Sequence, residues 1–235
     1  MVFWGRIFLI FFALSVFGSE PQIIFLLGKP GVGKGTHAVR LREEFHLPYI
    51  STGELLKENI RQGTPLGKIV KSHVEDGTLP PDQLVVDVFF QHYQTHNYPN
   101  GCIVDGFPRT LNQARLLDEK LGAVAKFLVI YLNASDEVVT ERILGRLMCG
   151  NCFVSYNIFS APPKKTGICD LCQSELYHRK DDNINVIKTR LSAFHEKTAP
   201  IFDYYQKQEK LHEIDSEQSI EVVYDSILKV IKENK

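Results

Sequence analysis

The chain has 235 residues, 44% of them hydrophobic, which suits one domain with a buried core, with or without insertions. Its formal net charge of -1 excludes the basic surplus typical of proteins whose main partner is nucleic acid or an anionic membrane. The phosphates of a small ligand need only a few local cations, which net charge does not reveal.

The N-terminus carries an apolar run. Residues 7–17 read IFLIFFALSVF after Arg6, and this run is shorter than the ~20 residues that a membrane-spanning helix needs. It matches the apolar region of a secretory signal, with a small-x-small pattern at 16–18, or else it is an uncleaved extension. We therefore exclude residues 1–20 from the fold and expect no stable membrane span.

From residue 21 onward, short apolar runs alternate with longer amphipathic stretches. The pattern predicts strands at 22–27, 48–50, 102–104, 126–132 and 211–214. It predicts helices at 34–45, 52–61, 66–76, 82–96, 110–121, 135–147, 182–208 and 220–233. This alternation indicates an α/β fold with three layers, in which a central parallel β-sheet has helices on both faces. Residues 148–178 lack periodicity and are predicted to be a small inserted module.

A glycine-rich loop, Gly28-Lys-Pro-Gly31-Val-Gly33-Lys34, joins the first strand to the first helix. In this setting glycines let successive backbone N–H groups face an anion, and the helix start adds its dipole. The lysine supplies a charge for the outer phosphates of a nucleotide. Gly35 departs from GxxxxGK[ST], and threonine follows one place later. The loop residues predicted to bind a nucleoside triphosphate are Gly31, Val32, Gly33, Lys34, Gly35 and Thr36.

A second polar group follows the strand at 102–104. Asp105 ends that strand, where a carboxylate beside a phosphate loop can hold water on Mg²⁺. Arg109 follows Gly106-Phe107-Pro108, and a guanidinium on a rigid proline turn can bind a phosphate with two parallel hydrogen bonds. Further upstream, Ser51 and Glu54 form a capping-box pattern at the start of the helix at 52–61.

Four of the five cysteines form two CxxC pairs separated by sixteen residues. This spacing fits a tetrahedral site with four thiolates, in which Zn²⁺ has no open position and is therefore structural. A module this short cannot bury much of an apolar core, so a metal ion that cross-links the chain would stabilise it instead. Disulfide bonds are the alternative. Cys102 stands alone in an apolar run and is expected in the core. The predicted zinc ligands are Cys149, Cys152, Cys169 and Cys172.

The GxPGxGKGT loop, the DGFPR segment at 105–109 and the RKDD segment at 179–182 resemble those of adenylate kinases and related nucleoside monophosphate kinases. The likeness runs from about residue 22 to 233. The inserted module resembles the long zinc-binding lid of the bacterial type. It implies a P-loop fold with a helical NMP-binding segment at 51–80 and a zinc lid at 145–182. It also accounts for Gly35, since these kinases have glycine and then threonine after the lysine.

The resemblance implies reversible phosphoryl transfer, ATP + AMP = 2 ADP with Mg²⁺, for adenine nucleotide homeostasis and ADP synthesis. Such transfer requires alignment and fixed cations, so no general base is assigned. The implied catalytic residues are Lys34, Asp105, Arg109, Arg146, Arg179 and Arg190. Beyond the loop, the implied ATP contacts are Arg142, Arg146, Ser155, Tyr156 and the backbone of Gln218. The implied AMP contacts are Thr52, Lys57, Thr78, Leu79, Pro80, Gly106, Phe107, Pro108, Arg109, Gln113, Arg179 and Arg190.

Within this pattern Gln113 is implied to read the adenine of AMP, and Arg142 and Arg146 are predicted on one helix face. Lys57 departs from the family, which has arginine at that position. Lysine keeps the charge but loses the two-pronged geometry. We therefore hypothesise that the AMP phosphate is held less tightly, and that Lys57→Arg lowers the apparent KM for AMP.

Three alternatives remain open. A UMP/CMP kinase of the same fold differs only in the base that it accepts. A zinc-ribbon binding module would leave Lys34, Asp105 and Arg109 unexplained, and an inactive relative would not need its arginines. We expect ATP, AMP and ADP as partners, no nucleic acid, a monomer, and a cytoplasmic location. Export is the alternative if residues 1–18 are a cleaved signal peptide.

Overall fold

The computed structural model describes residues 22–122, 126–152 and 154–234. The strands are β1 (Gln22–Gly28), β2 (Tyr49–Ser51), β3 (Gly101–Asp105), β4 (Lys126–Asn133), β5 (Arg146–Cys149), β6 (Ser155–Asn157), β7 (Leu176–Tyr177) and β8 (Leu211–Asp215). The helices are α1 (Lys34–Phe45), α2 (Thr52–Arg61), α3 (Pro65–Asp76), α4 (Asp82–His96), α5 (Leu111–Leu121), α6 (Asp136–Leu144), α7 (Ile184–Ala193), α8 (Pro200–Gln206) and α9 (Ile220–Glu233).

The main sheet is parallel and has the order β2-β3-β1-β4-β8. Asp105 at the end of β3 lies opposite Leu26 of β1 on one side and opposite Ser51 of β2 on the other. The carboxyl ends of these strands therefore meet along one edge, where ligands bind in open parallel sheets. The predicted α/β fold with a central parallel sheet is confirmed.

Strand β1 is buried on both faces, as its unbroken apolar sequence indicates. Ile24 and Leu26 belong to one apolar cluster, whereas Ile23, Phe25 and Leu27 belong to the other. Each is at most 2% exposed. Burying such a side chain contributes roughly 1.5–3 kcal/mol. The sheet is thus fixed between two helical layers, and the edge that carries the polar residues has a rigid base.

Helices α2 and α3 form a close pair above the sheet edge. The Ser51 Oγ accepts a hydrogen bond from the Glu54 N–H, which caps α2. The Glu54 carboxylate pairs with Lys57 and Arg179. Thr64 caps α3 in the same way, ahead of Pro65. A Cβ on Gly67 would lie 2.0 Å from the Asn59 carbonyl oxygen, so this close helix contact requires glycine.

The single helix predicted at 182–208 is wrong in its continuity. Helix α7 ends at Ala193, residues Phe194–Thr198 form a π-helical turn, and α8 begins at Pro200. Proline lacks an N–H and its ring clashes with the carbonyl four residues before it, so the α-helical ladder cannot continue through this position. The chain widens instead, and the Ala199 N–H donates to the carbonyl of Phe194, five residues earlier.

The helix predicted at 135–147 is too long. Helix α6 ends at Leu144, Gly145 caps it, and Arg146 begins β5. Arg142 and Arg146 therefore do not share one helix face, because the second lies on a strand. Ser135 precedes the helix, and its side chain makes no capping hydrogen bond.

Strands β5, β6 and β7 form a small antiparallel sheet within the inserted module, in the order β6-β5-β7. We call this module, residues 145–182, the lid. The apolar run at 7–17 and its small-x-small pattern lie outside the described residues. Among the residues that are described, no helix is both long and apolar enough to cross a membrane.

Candidate nucleotide-binding site

The glycine-rich loop bridges β1 and α1 with a backbone that favours glycine. Gly28, Gly31 and Gly33 have φ values of 143°, 82° and 107°. A Cβ on Gly31 would lie 2.5 Å from Ile143 Cγ1, and one on Gly28 would lie 2.4 Å from the Leu132 carbonyl oxygen. Both glycines are thus required by conformation and by space. Such a turn directs backbone N–H groups inward, as anion binding requires.

Lys34 folds back over this loop. Its ammonium donates to the Gly28 carbonyl at 2.9 Å and to the Lys29 carbonyl at 2.8 Å. Burial lowers the pKa of Lys34 to about 8; Asp105 opposes this shift, whereas Arg109 and Arg146 reinforce it. The lysine, the carboxylate and the two arginines therefore act on one another electrostatically.

Asp105 occupies the sheet edge beside the loop, as predicted. Its Oδ2 accepts a hydrogen bond from the Tyr49 hydroxyl at 3.1 Å. The Thr52 hydroxyl donates to the carbonyl of the next residue, Gly106, at 2.8 Å. The hydroxyl of Tyr49 thus holds one carboxylate oxygen of Asp105. The second oxygen retains lone pairs for the water of a metal ion.

The DGFPR segment turns Arg109 back toward β3. The Arg109 Nε donates to the Gly106 carbonyl at 2.7 Å. A Cβ on Gly106 would lie 2.8 Å from Arg109 Nη2, so glycine leaves room for the guanidinium. Because Nε is engaged with the backbone, the terminal nitrogens remain the donors available to a phosphate. The Phe107-Pro108 peptide bond of this segment is cis.

Gln113 is 1% exposed, and both atoms of its amide bond to protein. Its Oε1 accepts from the Arg109 N–H at 2.7 Å, and its Nε2 donates to Asp82 Oδ1 at 2.9 Å. An amide oxygen has a second lone pair and the nitrogen a second hydrogen. The side chain thus braces the turn before Arg109, and a base contact would use these remaining positions.

Five charged side chains join α2 to the last residues of the lid and to α7; we call them the ion cluster. The Arg179 guanidinium contacts Glu54 at 2.6 Å, and that of Arg190 contacts Asp181 at 2.6 Å. Lys57 lies between the two carboxylates, 3.4 Å from Glu54 and 3.6 Å from Asp181. Burial alone would raise the pKa of Asp181, but Lys57, Arg190 and Arg179 outweigh it and hold that pKa at about 2.

The two arginines flanking the start of the lid have different partners. Arg146 is paired through two nitrogens with Asp182, whose side chain is 1% exposed. The Arg142 Nη2 donates to the Ser216 carbonyl at 2.9 Å. Arg146 thus ties the start of β5 to the last residue of the lid, and Arg142 ties α6 to the chain after β8.

The four cysteines predicted to bind zinc lie together in the lid, with Sγ atoms all within 4.8 Å of one another. The Cys149–Cys172 and Cys152–Cys169 sulfur pairs are 3.3 and 3.5 Å apart. All five cysteines lie in the described part of the chain and are free thiols there. Sulfurs around a tetrahedral ion at ~2.3 Å are separated by a little under 4 Å, so the donor set fits zinc in number, type and spacing.

Other predicted ligands are less directly placed. The Tyr156 hydroxyl accepts a hydrogen bond from the Asp170 N–H at 2.8 Å, so it faces the cysteines. Ser155 begins the same strand, β6. The Gln218 side chain donates to Asp215, and the Thr78 hydroxyl bonds to His73. Pro80, two residues after Thr78, is buried.

An open cleft lies at the carboxyl edge of the sheet. It brings together residues from the loop, from the wall after α3, from the DGFPR segment and from α7. Those of its lining residues that the sequence predicted are Lys34, Leu79, Gly106, Pro108, Arg109 and Arg190. Three of the predicted phosphate cations, Lys34, Arg109 and Arg190, therefore face one space.

Several residues at this edge were not predicted from sequence. Tyr49 holds Asp105, and Ser216 donates from its hydroxyl to the Val32 carbonyl of the loop at 2.7 Å. Glu54 and Asp181 are the two carboxylates of the ion cluster. A usable signal existed for Ser216, because it directly follows β8 at the carboxyl edge of the sheet. Tyr49 begins β2, and only the folded chain brings its hydroxyl to Asp105.

Comparison with known proteins agrees with this geometry. The family model described as "Adenylate kinase" matches residues 26–210. An adenylate kinase of Caldicellulosiruptor bescii is 41% identical over 185 residues, covering 78% of this chain and 86% of that protein. One of Clostridium perfringens is 37% identical over 92% of this chain and 100% of its own length. One of Lachnospira eligens is 39% identical over 88% and 99%. The chain belongs to the adenylate kinase family.

Proposed function

We propose that this chain catalyses reversible phosphoryl transfer between MgATP and AMP to give two ADP, and so maintains adenine nucleotide levels. The observation that carries the proposal is the set of cations around one cleft. Lys34, Arg109 and Arg190 line it, and Arg179 joins Arg190 through the ion cluster. Phosphoryl transfer needs little else from a protein than alignment and fixed positive charge.

The donor nucleotide would lie on the loop, with its outer phosphates at Lys34. Backbone N–H groups of residues 31–36 receive the phosphates, and Arg142 and Arg146 approach from the lid side. Ser155, Tyr156 and Gln218 would complete the adenosine site. Mg²⁺ would be held through water by Asp105, where it would neutralise charge on the triphosphate. We assign Asp105 no proton transfer.

The acceptor would bind between α2 and the DGFPR segment, within the NMP-binding segment 51–80. Thr52, Gly106, Phe107, Pro108 and the wall at 78–80 would enclose AMP, with Gln113 at its base. Arg109, Lys57, Arg179 and Arg190 would hold the phosphate. The Glu54 and Asp181 carboxylates now pair with three of these cations, so the incoming phosphate would compete with them.

The lid at 145–182 would carry one structural zinc ion on its four cysteines, taking no part in the chemistry. We propose a monomer acting in the cytoplasm, because thiolates and ATP are both best maintained there. Export is the alternative if residues 1–18 are removed. Sequencing the mature N-terminus from native cells tests this, and a chain beginning at Ser19 would overturn the cytoplasmic assignment.

Purified protein supplied with ADP and Mg²⁺ tests the proposed reaction. We expect ATP and AMP in equal amounts, with the reaction stopping when Mg²⁺ is chelated. Absence of both products from protein with its metal bound would contradict the proposal. A panel of AMP, UMP and CMP with MgATP then identifies the acceptor. Turnover greatest on UMP or CMP would make the chain a pyrimidine nucleotide kinase.

A further inference from the structure

The ion cluster has an uneven charge count. It contains three cations, Lys57, Arg179 and Arg190, and two carboxylates, Glu54 and Asp181. Their side chains are between 16% and 36% exposed, so solvent screens them only in part. With every group ionised, the cluster has one surplus positive charge for a ligand. That surplus depends on all three cations remaining charged.

Lys57 is the most weakly held of the three. Each arginine contacts its carboxylate at 2.6 Å, within the range of a charge-assisted hydrogen bond. The Lys57 ammonium is 3.4 and 3.6 Å from its two carboxylates, at or beyond the limit of a hydrogen bond. Turning Lys57 toward a ligand therefore breaks the least bonding. It is the cation of the cluster that an incoming phosphate would displace from its carboxylates at the lowest cost.

Lys57 is also the cation of this cluster that can lose its proton. A guanidinium stays charged in proteins, whereas an ammonium titrates when it is buried. The charged groups that face it are Glu54 from its own helix, Arg179 and Asp181 from the last residues of the lid, and Arg190 from α7. Burial lowers the pKa of Lys57, the two arginines lower it further, and the carboxylates oppose them.

We propose that Lys57 makes capture of the acceptor phosphate depend on pH: its ammonium supplies the surplus positive charge of the ion cluster, and deprotonation removes it. This inference rests on the proposed function, in which the cluster receives the phosphate of a nucleoside monophosphate. Lys57 is thus a binding residue of the acceptor site whose charge sets the pH dependence of binding. An arginine at this position would hold the same phosphate without that dependence.

The direction of the effect follows from linkage. A bound phosphate favours the charged ammonium, so it raises the pKa of Lys57 above the lowered value of the free protein. Acceptor binding is therefore strongest at a pH below that free value and weakens as the pH rises through it. Phosphate monoesters lose their second proton at about pH 6, so measurements from about pH 7.5 upward avoid that ionisation.

The test is the apparent KM for AMP at saturating MgATP, from about pH 7.5 to about pH 9.5, in the wild type and in Lys57→Arg. In the wild type we expect KM to rise by up to about tenfold per pH unit above the free pKa of Lys57. In Lys57→Arg we expect a KM about fivefold lower at pH 7.5, equivalent to one added hydrogen bond, and a nearly flat profile. Identical profiles in the two proteins would overturn the inference.

Two further variants separate charge from structure. Lys57→Met should have a higher KM for AMP than the wild type at pH 7.5, and its KM should not rise with pH. A rise of KM with pH like that of the wild type would contradict the inference. Lys71→Arg, on the exposed face of α3 with its side chain 59% exposed, should reproduce the wild-type profile. Lys34 titrates equally in all four proteins, so the differences report on Lys57. Failure of the wild type to convert ADP would contradict the proposed function; active enzymes with matching profiles would contradict this inference alone.

Discussion

Lys34 illustrates how a functional side chain is held ready at the scale of a single residue. Its ammonium bonds to two carbonyls of the loop that it follows, so its charge points at the space where phosphates are expected. Burial lowers its pKa to about 8, which means that folding disfavours the charge. A bound polyphosphate would restore the charge by offsetting that desolvation.

Replacing Lys34 with methionine should therefore separate activity from stability. We expect kcat/KM for ATP to fall about 100- to 1,000-fold, the usual cost of removing one donor to a transition-state oxygen. We expect the melting temperature at pH 7 to stay level or rise, because below the folded pKa the buried ammonium destabilises the native state. Kinetics and thermal unfolding of the same preparation check both. A lower melting temperature together with the lost activity would contradict this account.

The same linkage bears on the wild type. Because the pKa of Lys34 is about 8 in the free protein, ATP binding should weaken as the pH rises above that value. The acceptor affinity depends on Lys57 instead. The two lysines thus act on different substrates, and the KM values for ATP and AMP distinguish them.

At the scale of elements, periodicity predicted the sheet, the loop and most helices well. The apolar runs of β1, β3 and β4 are buried on both faces, so few registers other than the observed one satisfy them. The π-helical turn at 194–198 was missed because buried Leu191, Phe194 and Ile201 keep an approximately helical spacing across it. Periodicity reports which side is buried, and it is insensitive to one widened turn.

The lid strands were not predictable in this way. Strands β6 and β7 have three and two residues, too short for any alternation to be recognised. Their positions follow instead from the CxxC turns that bring four sulfurs together. The ion cluster was also only partly predictable. Its arginines were implied by family likeness. Their pairing with Glu54 and Asp181 depends on how α2 packs against the last residues of the lid and α7.

The cysteine cluster yields a prediction at this scale. We expect about one zinc ion per chain in the wild type, as a four-cysteine site implies. Cys172→Ser should weaken zinc binding by at least about 100-fold, more than the loss of an outer-shell partner. Without the metal, protease should cut first within 148–178, since little apolar core holds that segment. Cys102→Ala, a core position outside the lid, is the matched control. Equal zinc content in both variants would contradict the assignment.

At the scale of the whole molecule, charges from distant parts of the sequence converge on one edge of the sheet. Lys34 comes from the loop and Arg109 from the chain after β3. Arg179 comes from the last residues of the lid, and Arg190 comes from α7. Arg146 and Asp182 pair near the two ends of the lid, which joins β5 to the segment that carries Arg179. We therefore expect closure of the lid and completion of the phosphate site to occur as one event.

This coupling predicts how the molecule fails when the lid is weakened. Water competes with the acceptor for the transferred phosphoryl group, and a closed lid excludes it. Cys152→Ser should therefore slow transfer to AMP while raising the fraction of ATP hydrolysed to free phosphate. We expect that ratio to increase about tenfold, corresponding to about 1.4 kcal/mol of lost discrimination. Phosphate release and ADP formation, measured together in the presence of AMP, give the ratio directly. The Cys102→Ala control should behave as the wild type. A variant that has lost its metal but keeps the wild-type ratio would mean that the zinc site shapes the lid without sealing the cleft.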